Sequence, residues 1–130
     1  MKILLDTHTL IWALEDSPRL PLNVRDTILD ESNQIYVSIL SLWEIAIKHK
    51  KRPDLMPYSA IQIRDYAIRA GYIFVYLGVD AVSIFQQNDL SIHNDPFDQM
   101  LVCQSQANNM KLLTHDKKIK SFGVGFVEIF

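Results

Sequence analysis

Short apolar runs that stop at a polar or acidic residue alternate along this chain with longer stretches in which apolar residues recur every three or four positions. The first run, KILLD at residues 2 to 6, has no internal alternation and ends at a carboxylate, which predicts a buried parallel strand rather than an edge strand. THTLIWALED follows at helical spacing, with Leu10, Ile11 and Leu14 on one side, and SPRLP breaks it. Val24, Ile28 and Leu29 predict a second helix from Asn23 to Glu31, with Pro21 at its entrance. QIYVS, residues 34 to 38, predicts a second strand. In SILSLWEIAIKHKK, Leu42, Ile45 and Ala46 share a helical face, Ser38 or Ser41 caps the start, basic residues complement the C-terminal end, and Pro53 and Pro57 close it.

SAIQIRDYAIRA predicts another amphipathic helix, ended by Gly71, and YIFVYL at residues 72 to 77 a third strand. VDAVSIFQQ predicts a short helix. After the polar stretch NDLSIHN, the segment DPFDQMLVCQSQANN has Asp95 as N-cap, Pro96 at the first helical position, and a buried face with Met100, Leu101 and Cys103 or Gln104. KLLTHD predicts a fourth strand ending at an acid, and GFVEIF a fifth. Trp12 and Trp43 fall at apolar helical spacing, which assigns both to core packing rather than to base stacking. Strands alternating with helices predict one α/β domain over residues 1 to 130, a short, mostly parallel sheet with right-handed crossovers.

Composition changes this picture in three places. Thirteen basic against fifteen acidic residues give a net charge of −2, so any contact with nucleic acid has to be local. The basic clusters are Lys48, Lys50, Lys51 and Arg52 with His49 among them, and Lys117, Lys118 and Lys120. Cys103 is the sole cysteine and sits in an apolar run, which excludes a disulfide framework and argues against a thiolate zinc site. No apolar run reaches the roughly 18 residues of a membrane span, and MKILLDTH turns acidic too soon for a signal peptide, so a cytoplasmic protein with no membrane association is expected.

Four acids carry the candidate chemistry. Asp6 ends the first strand and Asp116 lies just past the fourth. Ligands of open parallel sheets bind outside the carboxyl ends of the strands, so these two side chains meet if the strands are neighbours. Glu44 falls on the first two turns of the helix leaving the second strand, and Asp98 on the first turn of the helix before the fourth. Four adjacent carboxylates cannot all stay ionised and unpaired. A hard cation resolves the conflict, and oxygen-only ligands suit Mg2+ or Mn2+. The chemistry expected of such a site is phosphoester hydrolysis by a metal-activated water.

Each acid also has a plain structural reading. Asp6 can serve only as the N-cap of the next helix, and Ser41 with Glu44 matches the capping box S-x-x-E. Asp95 and Asp98 bracket a capped helix start, and Asp116 can be a turn residue. His8, His93 and His115 each neighbour an acid, but none has zinc-ligand spacing, and solvent-facing or capping roles are expected.

The order KILLDTHTLIWAL, VSILSLWEIAIKHK, HNDPFDQMLVCQSQA, LLTHDKKI is more specific than any one segment. It resembles the PIN-domain family, and within it the VapC-type toxins that carry an H-x-D-P-F-D block, over essentially the whole chain. The resemblance implies helices around a short parallel sheet and a Mg2+- or Mn2+-dependent endoribonuclease, the toxin of a toxin–antitoxin pair. It places the family's four acids on Asp6, Glu44, Asp98 and Asp116 as catalytic and metal-holding residues. Thr7, Ser38 and Thr114 match supporting hydroxyls, and His93 and Asp95 belong to the narrower block as supports of the ligands. Lys48, Lys50, Lys51 and Lys117 are the expected RNA contacts. The implied partners are an RNA substrate, a cognate antitoxin and a second copy of the chain. One departure is Gln99, where relatives with this block usually carry Arg.

Two other phosphoryl chemistries fit less well. A haloacid-dehalogenase-like phosphatase needs a second Asp where this chain has His8, and for a receiver domain Asp80 lies too far past its strand. The stronger alternative is a PIN-like scaffold that binds RNA or a protein without cutting.

Overall fold

A computed structural model describes residues 1–88, 95–121 and 127–130. Five strands form one sheet: β1 (Lys2–Leu5), β2 (Gln34–Ser38), β3 (Ile73–Val75), β4 (Lys111–Thr114) and β5 (Val127–Ile129). Their order is β3-β2-β1-β4-β5 and every pairing is parallel. The helices are α1 (Thr7–Glu15), α2 (Leu22–Leu29), α3 (Ile39–Lys51), α4 (Ala60–Arg69), α5 (Val79–Gln87) and α6 (Pro96–Ala107), and a 3-10 turn covers Lys117–Ser121. Among the described residues, no helix is long and apolar enough to cross a membrane.

The central strands are apolar on both faces because both faces are covered. Ile3, Leu5, Ile35, Val37 and Leu113 pack with Leu10, Ile11, Val24, Ile28, Ile45 and Ile63, which come from α1, α2, α3 and α4. The alternate positions Leu4 and Leu112 point the other way and pack with Leu101, Val102, Met110 and Ile119. This is the period-two alternation of a strand between two helical layers. Cys103 lies with Ala81 between α5 and α6, and burial pushes its thiol up to about 11, in keeping with a packing role.

Helix boundaries follow local chemistry. The Ser38 hydroxyl accepts from the Leu40 amide, so α3 starts at Ile39. Ser59 and Gln62 form a reciprocal capping box at α4. Gly71, at φ +83°, takes the left-handed conformation just past that helix. Asp95 accepts from the Phe97 and Asp98 amides with Pro96 behind it, which starts α6 at the expected residue.

Two expectations change. The third strand is three residues long rather than six, because β2 turns into α3 right after Ser38, which pairs with Val75. Beyond that point Tyr76 and Leu77 have no β2 residue to bond and are exposed. Trp43 is not a core residue, being 59% exposed and edge-on against Phe97, and Trp12 is half-buried, packed against the first core layer on one side and lining the rim of a cleft on the other.

Ile45 is fully buried where α3 meets the first core layer. Ile45→Ala is expected to destabilise the fold by about 2–5 kcal/mol, measured as a shift in urea midpoint at constant slope.

Candidate active site

The strand order reverses around β1: the chain goes on to β2 on one side and returns through β4 on the other. The cleft sought by the sequence argument opens at this switch point, beyond the carboxyl ends of β1 and β4. It encloses about 290 Å³ and is lined by Asp6, Glu44, Asp95, Asp98 and Asp116, with Thr7 and Lys48. His8, Trp12 and His115 complete its rim.

Asp6 is 5% exposed at the end of β1, and both of its oxygens are engaged. Oδ1 accepts from the Thr9 amide at 2.8 Å, so the capping reading holds for that oxygen. Oδ2 accepts from the Thr114 hydroxyl at 2.5 Å, across the β1–β4 pairing. Thr114 Oγ1 in turn accepts from the Asp116 amide at 3.0 Å, so one hydroxyl ties the two acid-bearing segments together. Asp116 Oδ1 accepts from the Lys118 amide at 2.9 Å, which gives Asp116 the turn role as well.

Glu44 is equally buried, at 5%. The capping-box reading fails for it: Ser38 caps α3, and Ser41 and Glu44 lie inside the helix. The carboxylate instead reaches across to α1, where Thr7 Oγ1 donates to Oε1 at 2.6 Å and stands 3.1 Å from Ser41 Oγ. Lys48, one turn further along α3, donates to Oε2 at 2.7 Å. Asp95 holds the N-cap of α6, and Asp98 sits three residues later in its first turn. There the positive end of the helix dipole favours a carboxylate facing the cleft.

The structure therefore brings Asp6, Thr7, Glu44, Lys48, Asp95, Asp98 and Asp116 to one cleft. Thr114 lies beneath it through Asp6. Ser38 does not reach the lining: fully buried, it donates to Gln104 Oε1 at 2.6 Å and holds α3 to α6 from behind. Lys50, Lys51 and Lys117 are exposed outside the cleft. His93 lies outside the described residues.

The rim was missed by the sequence argument. His8 and Trp12 stack with ring centroids 6.0 Å apart and planes at 30°, and His115 meets Trp12 edge-on at 5.8 Å. The signal was the i, i+4 spacing of His8 and Trp12 immediately after Asp6, which sets both rings on the helical face above the acid.

The five carboxylates of the lining suit a hard divalent cation: hydroxyls orient two of them, the imidazoles of His8 and His115 stand at the rim, and no sulfur is among them. Among the described residues, no three acidic, histidine or cysteine side chains close up into a group able to hold an ion unaided. Mg2+ does not require that, since it takes one or two carboxylates and keeps several waters, for which a cleft of this size has room.

A family model described as the PIN domain matches residues 3–124. No curated protein matches the sequence. Among solved structures, VapBC2 of Rickettsia felis bound to a promoter DNA fragment aligns with TM-score 0.72 at 17% identity, covering 99% of this chain and 98% of the other. DNA-bound VapBC of Salmonella typhimurium gives 0.70 at 18%, covering 100% and 97%. VapBC-1 of nontypeable Haemophilus influenzae gives 0.71 at 14%, covering 99% and 98%. At these identities the likeness establishes the fold.

Ser38→Ala removes the α3 cap and strips a buried amide oxygen of its donor. The expected cost is about 2–3 kcal/mol in chemical denaturation, with the acidic lining left in place.

Proposed function

As the chain belongs to the PIN-domain family, we propose that it is a metal-dependent endoribonuclease and the toxin of a toxin–antitoxin pair, hydrolysing RNA phosphodiester bonds at the acidic cleft. The observation that carries this reading is the meeting of Asp6, Glu44, Asp98 and Asp116, from four separate segments, at the sheet's switch point. Capping alone does not require it: Glu44 lies on the second turn of α3, with its carboxylate bonded to Thr7 and Lys48.

These four acids would hold Mg2+ or Mn2+, in part through water. When bound, such an ion supplies a Lewis acid that makes water a stronger nucleophile and offsets charge on the phosphate. The chain's own groups do the rest. Thr114 and Thr7 fix the Asp6 and Glu44 carboxylates so that neither swings away as charge enters the cleft. Lys48 balances Glu44 before substrate arrives and is placed to transfer its ammonium to a phosphate oxygen. The α6 N-terminus adds positive potential toward an anionic ligand.

The partner reading, a cognate antitoxin and a second copy of the chain, is supported by the VapBC complexes that share the fold. A non-cutting scaffold is the second reading, and it predicts an acidic cleft whose substitutions leave RNA processing unchanged.

Asp98→Asn separates the two. Loss of charge stabilisation worth several kcal/mol corresponds to about a hundred-fold or more in rate. Cleavage of total RNA in Mn2+ is expected to fall by that factor while the melting temperature moves by only a few degrees. EDTA should abolish cutting by the unaltered protein, and cutting that persists in either case contradicts the proposal. Lys48→Met is expected to tighten Mn2+ binding by up to about fivefold in calorimetric titration, the scale of a partly exposed ion pair, by releasing one oxygen of Glu44. Weaker Mn2+ binding would show that the ammonium supports the site instead of competing for it.

A further inference from the structure

Three recesses meet at His8. The acidic cleft shares His8 and Trp12 with a recess of about 420 Å³ that runs past Arg19 to Tyr58. It shares His8 and Lys48 with another of about 380 Å³, bordered by Lys51 and by Arg52, whose guanidinium is paired with Asp54 at 2.7 Å. Lining chemistry changes along this depression from carboxylates at the centre to cations outside, with aromatic rings at the junction. The one acid of the outer recess, Glu15, is engaged by the Tyr58 hydroxyl at 2.8 Å.

From this arrangement we propose that His8 and Trp12 form a nucleotide-base subsite: single-stranded RNA leaving the acidic cleft stacks a base on these rings, while Arg19, Lys48, Lys51 and Arg52 follow its phosphates. The proposal rests on the nuclease reading and extends it to the substrate's path. His8 is exposed and Trp12 half-buried, their planes inclined at 30°, and the Arg19 guanidinium lies 5.7 Å from the Trp12 ring centre. An aromatic surface beside cations is how proteins hold unpaired nucleotides, because every base has a π-face and every linkage a charge. A duplex keeps its bases stacked inward and offers none to these rings, so the substrate class is single-stranded or looped RNA. An acidic peptide would use the same cations without needing the rings.

The test is binding of fluorescein-labelled hexauridylate, and of the same hexamer with abasic sugars throughout, to the Asp98→Asn protein in Mn2+. The comparison variants are Trp12→Leu, Trp12→Phe and the exposed His8→Ala, each in the same background. Removing the bases is expected to weaken binding about tenfold. Trp12→Leu should cause a similar loss for hexauridylate and almost none for the abasic chain, Trp12→Phe a smaller loss, and His8→Ala a partial one with melting unchanged. In a Trp43→Phe background, Trp12 fluorescence should be quenched by hexauridylate and not by hexaglutamate. Equal losses for intact and abasic chains, or equal quenching by hexaglutamate, would overturn the subsite in favour of a purely ionic surface. The two readings fail separately. If the unaltered protein cuts RNA and Trp12→Leu binds both hexamers as before, only the subsite falls; if it cuts no RNA in Mn2+ yet shows the base-dependent loss, only the nuclease reading does.

Discussion

The structure depends on giving hydrogen-bond donors to a carboxylate buried at the end of a parallel strand. Asp6 is nearly inaccessible, and an ionised group so placed is costly unless its oxygens are paired. Its two donors come from different levels of the fold. The Thr9 amide is the free N–H of the helix that Asp6 itself starts, whereas the Thr114 hydroxyl arrives from β4, whose register sets Leu113 beside Leu5. A slip of β4 by one residue would turn Thr114 to the opposite face and leave Oδ2 without this donor. Sheet register, strand order and cleft geometry are thus one constraint, and Glu44 repeats it on the other side of α1, where Thr7 is its donor.

Most of the element order could be read from the chain because its signals are local. Asp95 followed by Pro96 starts α6, Ser38 starts α3, and the unbroken apolar runs of β1 and β4 mark strands covered on both faces. What failed were inferences in which the same local signal serves two structures. Ser41 and Glu44 match a capping box, but Ser38 starts the helix one turn earlier, so the Glu44 amide that Ser41 would cap already has its partner within the helix. The third strand looked longer than it is because its length is set by β2, which ends at Ser38. Neither outcome can be computed from the segment alone.

Trp12 shows the same limit at the candidate site. Helical spacing reports which residues are apolar, not whether the face they share meets the core or the edge of a cleft. On α1, Leu10 and Ile11 are buried while Trp12, Ala13 and Leu14 are only partly covered, so the apolar stripe is wider than the core it meets. The surplus supplies the aromatic rim. Asp6, Asp98 and Asp116 stand where a strand ends or a helix begins, places visible in sequence, whereas Glu44 lies on the second turn of α3.

Along α3, a chain of net charge −2 sets cations next to a cleft lined by acids. Glu44 lies on the second turn, Lys48 one turn later, and Lys51 and Arg52 at the C-terminal end, where the helix dipole favours cations. At ~1.5 Å per residue, Lys48 and Lys51 follow Glu44 by roughly 6 and 10 Å along the axis. Those separations are comparable to the screening length of ~8–10 Å in physiological salt. The repulsion from the acids is therefore offset within the distance over which it is felt, and a single helix sets both the negative centre and the positive approach to it. Overall composition cannot report this balance, because it depends on where charges fall along one helix and not on how many there are.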